Sequence, residues 1–63
     1  MQTKELLAGD VVLYAGGRAT VTALRDTGRA AIFGAGTEWH IALGTTGGDM
    51  ELSAASGHTW TRL

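Results

Sequence analysis

The chain has 63 residues, a net charge of −1, and neither cysteine nor proline. Hydrophobic residues make up 44%, but ten of them are alanine, so only 18 larger apolar side chains are available for a core. These figures confine the chain to one domain, residues 1–63. They exclude a disulfide scaffold, a cysteine-ligated zinc module, a collagen-like chain and a strongly charged disordered tail. No apolar run approaches the ~18 residues of a membrane span, and the acid-bearing start Met1–Glu5 does not read as a secretory signal. The cytoplasm is therefore the expected compartment. A chain this short usually needs a staple beyond its own core. With cysteine absent, the staple left to it is self-association, which buries further surface.

Thr3 to Ala8 has the composition of a single helical turn capped by Thr3, too short to stand alone. Gly9-Asp10 then punctuates the chain. Val11 to Ala15 reads as a strand, with Val11 and Leu13 on one face and Val12 and Tyr14 on the other. Both faces are apolar, so both call for a cover, from Leu6-Leu7 or from another subunit. Gly16-Gly17 signals a two-residue hairpin.

The second strand is Arg18 to Arg25, where Thr20, Thr22 and Leu24 alternate with Ala19, Val21 and Ala23. Asp26-Thr27-Gly28 reads as a turn. A third strand, Arg29 to Phe33, is broken by Gly34-Ala35-Gly36. In the fourth, Thr37 to Leu43, the residues Trp39, Ile41 and Leu43 share one face, while Glu38, His40 and Ala42 share the other. This is the clearest period-2 pattern in the chain. Gly44 to Asp49 reads as a flexible loop, Met50 to Ala54 as a short strand, and His58 to Leu63 as a last one. Five to six short antiparallel strands joined by glycine-rich turns give an all-β chain, a small barrel with one helical turn at its start.

Gly9-Asp10-x-Val12, the glycine pair Gly16-Gly17 and the bent meander through Gly28 resemble an SH3-like small barrel of the KOW or Tudor kind, over roughly residues 7–43. The resemblance implies that fold. The chain departs from the KOW pattern in having no basic cluster after the first strand beyond Arg18, which weighs against the family's nucleic-acid role.

Four kinds of chemistry can be asked of these residues. Binding phosphate needs several cations on one face. Arg18, Arg25 and Arg29 could gather there, but Asp26 lies between two of them. Tyr14, Phe33, Trp39 and Trp60 could stack on bases. In so small a chain they are first of all the expected core. A metal could in principle be held by Glu38 and His40 with His58 or Asp49, yet the spacing matches no ligand motif, and no metal or cofactor is expected. Ser53, Ser56, His40, His58 and Asp49 carry no nucleophile motif. An enzyme would then need a site shared between subunits, so the chain is not expected to be one.

A binding surface needs no motif. The expected role is a non-catalytic protein-binding or assembly module. It would act as a homo-oligomer or as a small subunit of a larger assembly, such as a viral structural one. Tyr14, Trp39 and Trp60 would be the aromatic anchors. Arg18 would orient an acidic group, and His40 would tune affinity with pH. A nucleic-acid-binding barrel is the alternative.

Overall fold

A computed structural model describes all of residues 1–63. It is all-β. Four antiparallel strands form one sheet in the order β1 (Val11–Tyr14), β2 (Gly17–Ala30), β3 (Thr37–Thr45) and β4 (Gly48–Ala55), curled into a half-barrel. A 3-10 turn, Thr3–Glu5, precedes them. The strands number four, not the expected five to six, and each difference has a local cause.

The predicted second and third strands are one. Asp26-Thr27-Gly28 does form a turn: the Asp26 carboxylate accepts from the Gly28 N–H at 2.9 Å, and Gly28 sits at φ +78. But the chain does not reverse there. Asp26 remains opposite Trp39, Ala30 lies opposite Thr37, and the Thr27 hydroxyl donates to the Glu38 carbonyl at 2.9 Å. The turn is thus absorbed as a bulge in β2. A second irregularity lies at Thr22, between the pairs Val21–Leu43 and Ala23–Ala42. Its extra residue shifts the alternation, so Leu24 packs against the same core as Val21. Bulges of this kind bend and twist a strand, which suits a sheet that must curl.

The actual reversal occurs at residues 31–36, closed by the Ala31 N–H donating to the Gly36 carbonyl at 3.0 Å. The predicted loop Gly44–Asp49 is instead mostly strand. Thr45 pairs with Gly48 across the two-residue turn Thr46-Gly47, and the Thr45 hydroxyl donates to the Gly48 carbonyl at 2.8 Å.

Residues 58–63 fall short of a strand because they change partner midway. Thr59 bridges Gln2, and Arg62 bridges Val12. Between them, Trp60 and Met1 exchange backbone hydrogen bonds of 2.6 and 3.0 Å. Thr3 is not the cap but the first residue of the 3-10 turn, which Gln2 precedes as the cap, and it is fully buried. The Glu5 carboxylate performs the capping, accepting from the Gln2 N–H at 2.7 Å.

The core lies on the concave face of the sheet. Val12, Ala19, Val21, Ile41 and Leu43 come from the strands, while Leu6 and Trp60 close over them from the flanking segments. Leu6 supplies part of the cover expected for β1. Leu7 stays 70% exposed. No helix is long and apolar enough to cross a membrane.

The first hairpin turns at Ala15-Gly16, with Gly17 already paired to Tyr14. Both turn residues have positive φ, +49 and +80, the type I′ geometry for which asparagine-glycine is preferred. Alanine pays a steric cost of about 1–2 kcal/mol in that conformation. Ala15→Asn is therefore expected to raise the unfolding free energy by about 1 kcal/mol, read as a shifted urea midpoint with unchanged slope.

Candidate functional site

The largest recess of the molecule is a groove of about 570 Å³ between the two outer strands of the half-barrel. Leu13 and Tyr14 of β1 form one wall and Leu52 to Ala55 of β4 the other. The loop 33–35 closes one side, and the segment Gly57–Thr61 provides the remainder. No aspartate, glutamate, lysine or arginine lines it, and His58 is its only titratable side chain besides Tyr14.

Trp60 is the fixed element of the groove. It is 6% exposed, its ring stacks on Tyr14 with centroids 6.4 Å apart, and the His58 ring meets its edge at 5.2 Å. Its indole N–H donates to the Thr3 hydroxyl oxygen at 2.8 Å. A buried indole N–H needs such an acceptor. Thr3 is itself held by its N–H donating to the His58 carbonyl at 2.9 Å.

At the rim, the loop between β2 and β3 carries Ile32 and Phe33, each 86% exposed. Phe33 was expected in the core, at the end of a strand. It projects into solvent because β2 ends at Ala30 and the loop is pinned from behind. The Gly57 N–H donates to the Ala35 carbonyl at 3.0 Å, the Ser56 N–H to the Thr37 carbonyl at 2.8 Å, and the Thr37 N–H to the Ser56 hydroxyl at 3.1 Å. Two glycines permit this closeness. Gly34 and Gly36 lie at φ +88 and +92; a Cβ at 34 would meet Ala55 Cβ at 2.9 Å, and one at 36 would collide with the Ser56 hydroxyl.

Of the five residues expected to form a contact surface, the fold brings Tyr14 and Trp60 together and separates the others. Trp39 is half-buried at the margin of the core, and its indole N–H has no acceptor within the chain. His40, the next residue on β3, lies on the convex face 3.9 Å from Glu38. Arg18 is exposed on β2 opposite Leu13 and makes no ion pair. Sequence reasoning missed Ile32, Phe33, Leu52 and Ala54 as groove or rim residues. The one local signal was the pair Gly34 and Gly36 directly after Phe33.

The cations do not form a common face free of acids. Arg29 lies 3.6 Å from Glu38, and Arg62 lies 3.8 Å from Asp10. Of the ligands considered for a metal, Glu38 and His40 come together, while His58 stands against Trp60; no three histidine, aspartate or glutamate side chains converge anywhere.

Thr3→Val keeps the shape of the buried residue but removes the acceptor of the Trp60 indole. A loss of about 1–3 kcal/mol in unfolding free energy is expected, measured by chemical denaturation, with the tryptophan emission reporting the changed contact. Comparison with protein-family models, with curated proteins and with solved structures finds no match to this chain.

Proposed function

We propose that this chain is a non-catalytic protein-binding or assembly module built on an SH3-like small barrel. Its contact surface is the Tyr14–Trp60 groove together with the Ile32–Phe33 loop at its rim. The observation that carries this reading is the 86% exposure of two adjacent large apolar residues on a loop that backbone bonds hold in place. Apolar side chains kept out of the core beside an uncharged recess are the usual mark of a partner surface. A buried aromatic with a partly exposed one stacked on it is the usual centre of such a surface. The strand order supports the SH3-like assignment. A bent meander is followed by a short segment that returns to the outer edge of β1, where the Leu13 N–H donates to the Thr61 carbonyl at 2.8 Å. The ion pairs of Arg29 and Arg62 weaken the nucleic-acid alternative, because paired cations are less available to phosphates.

The test is selection from a random peptide display library against the chain immobilised at low density. Selected peptides are expected to lose at least about tenfold in affinity on Phe33→Asp or Tyr14→Ala, the scale of a residue worth more than 1 kcal/mol. They should be unaffected by Arg25→Ser on a strand away from the groove. Selection that yields no groove-dependent peptide overturns the reading. So does tight, steeply salt-dependent binding of an oligonucleotide that is lost on Arg18→Ala with Arg25→Ala.

A further inference from the structure

We infer that the partner of this module is an extended segment of another protein, basic at alternate positions, which adds to the outer edge of β4 as a further strand. The inference rests on the binding-module reading above and names both the occupant and the way it is held.

The backbone of β4 fixes where such a segment bonds. In an antiparallel pair, alternate residues exchange N–H and C=O with the neighbouring strand. The Ser56 N–H donates to the Thr37 carbonyl at 2.8 Å, in the same register as the ladder from Glu38–Ala55 to Thr45–Gly48. Counting back by alternate residues, Ala54, Leu52 and Met50 bond to β3, while Ser53, Glu51 and Asp49 direct their N–H and C=O groups outward. No strand pairs there. The opposite edge of the sheet is not open, since the Leu13 N–H donates to the Thr61 carbonyl and the Leu63 N–H to the Val11 carbonyl. The open stretch of β4 ends at Ala55, whose carbonyl accepts from the His58 N–H at 3.0 Å. From Asp49 to Ala54 it runs without a bulge or a proline, two of the devices that usually blunt an edge.

Charge selects the occupant. Asp49 and Glu51 are exposed, alternate with the core-facing Met50 and Leu52, and pair with no cation. A second copy presenting the same edge would set these acids against their own images, which is destabilising across a strand pair. A segment with lysine or arginine at the facing positions meets them with opposite charge. Its intervening side chains fall on the face of Met50, Leu52 and Ala54, which pack against the core. Leu52 and Ala54 also line the groove that reaches across to Tyr14 and Trp60, a recess of about 570 Å³ with no aspartate, glutamate, lysine or arginine in its walls. Apolar side chains at those positions enter it. The main-chain bonds supply affinity, and the alternation supplies the choice of partner. An acidic segment is repelled on the outer face, and an evenly basic one has nothing to place in the groove.

The test uses the full chain and two pools of synthetic peptides of about six residues, the usual length of a strand. Both pools have random apolar residues at alternate positions. Between them, one pool carries lysine or arginine and the other aspartate or glutamate. Peptides from the basic pool are expected to bind at least about tenfold more tightly than any from the acidic pool, the scale of two cross-strand charge pairs turned from attraction to repulsion. Asp49→Lys combined with Glu51→Lys, both at exposed positions, is expected to reverse that preference with circular dichroism unchanged. Bound basic peptide is also expected to slow amide hydrogen exchange at Asp49, Glu51 and Ser53 at least about tenfold, because these N–H groups pass from solvent into a ladder. A peptide lying only in the groove leaves them unchanged. Failure of both pools, equal binding of the two, or a preference that the double variant does not reverse overturns the proposal. So does binding without slowed exchange at Glu51 and Ser53, and so does slowed exchange there in the chain alone as its concentration rises, which assigns the edge to a second copy. Peptides selected from the random library that depend on Tyr14 and Phe33 yet leave the β4 amides unprotected overturn strand addition and leave the binding-module reading in place. A library that yields no groove-dependent peptide overturns both.

Discussion

The hydrogen bond from the Trp60 indole to the Thr3 hydroxyl is the contact on which the rest of the molecule depends. Four strands in one sheet make a concave apolar face but cannot cover it themselves, and an uncovered face is not a core. The cover is Trp60 and Leu6, from opposite ends of the described chain. Burying the indole is favourable only if its N–H keeps a partner. Thr3 provides it, and Thr3 is in turn placed by the His58 carbonyl and the Met1–Trp60 exchange. One polar contact thus binds together two segments that are 57 residues apart and fixes the plug of the half-barrel.

The groove follows from the same arrangement. Trp60 approaches the core from the β1 side, stacked on Tyr14, and the segment carrying it pairs with β1 as far as Leu63. Nothing pairs with the outer edge of β4. Leu52 and Ala54 are left half-buried there, packed against the core from within and facing the recess from without. A chain with so few large apolar residues fills the middle of its barrel first and leaves the seam between its two outer strands open.

What the residue pattern revealed, and what it concealed, divides along physical lines. Trp39, Ile41 and Leu43 could be assigned to one face because β3 runs without a bulge on its own chain. Leu24 could not be assigned by parity, since the extra residue at Thr22 moves it across the sheet. The glycines of Gly44–Asp49 suggested a mobile loop, yet Gly44 and Gly48 serve as strand residues flanking a two-residue turn. The site was half legible. Tyr14 and Trp60 stand out in the sequence as large aromatics, but their adjacency arises from the return of residues 58–63 to β1, a long-range pairing with no local signature. Trp39 and His40 do not serve one surface here, because they alternate across β3: Trp39 packs against the core, while His40 lies on the other face beside Glu38.

The exposed pair Ile32–Phe33 is set apart from an incidental surface apolar residue by the rigidity behind it. Isolated exposed apolar side chains are common and need no explanation. A loose loop carrying two of them would be expected to fold back, since burying a phenylalanine side chain is worth about 1.5–3 kcal/mol. Here the loop cannot do so without breaking the bonds from Ala35 to Gly57 and from Thr37 to Ser56, or lifting Gly34 and Gly36 from positions that tolerate no Cβ. The backbone holds the two side chains away from the core that their composition would choose. The uncharged recess beside them, which Phe33 itself helps to line, is the nearest apolar surface left to them.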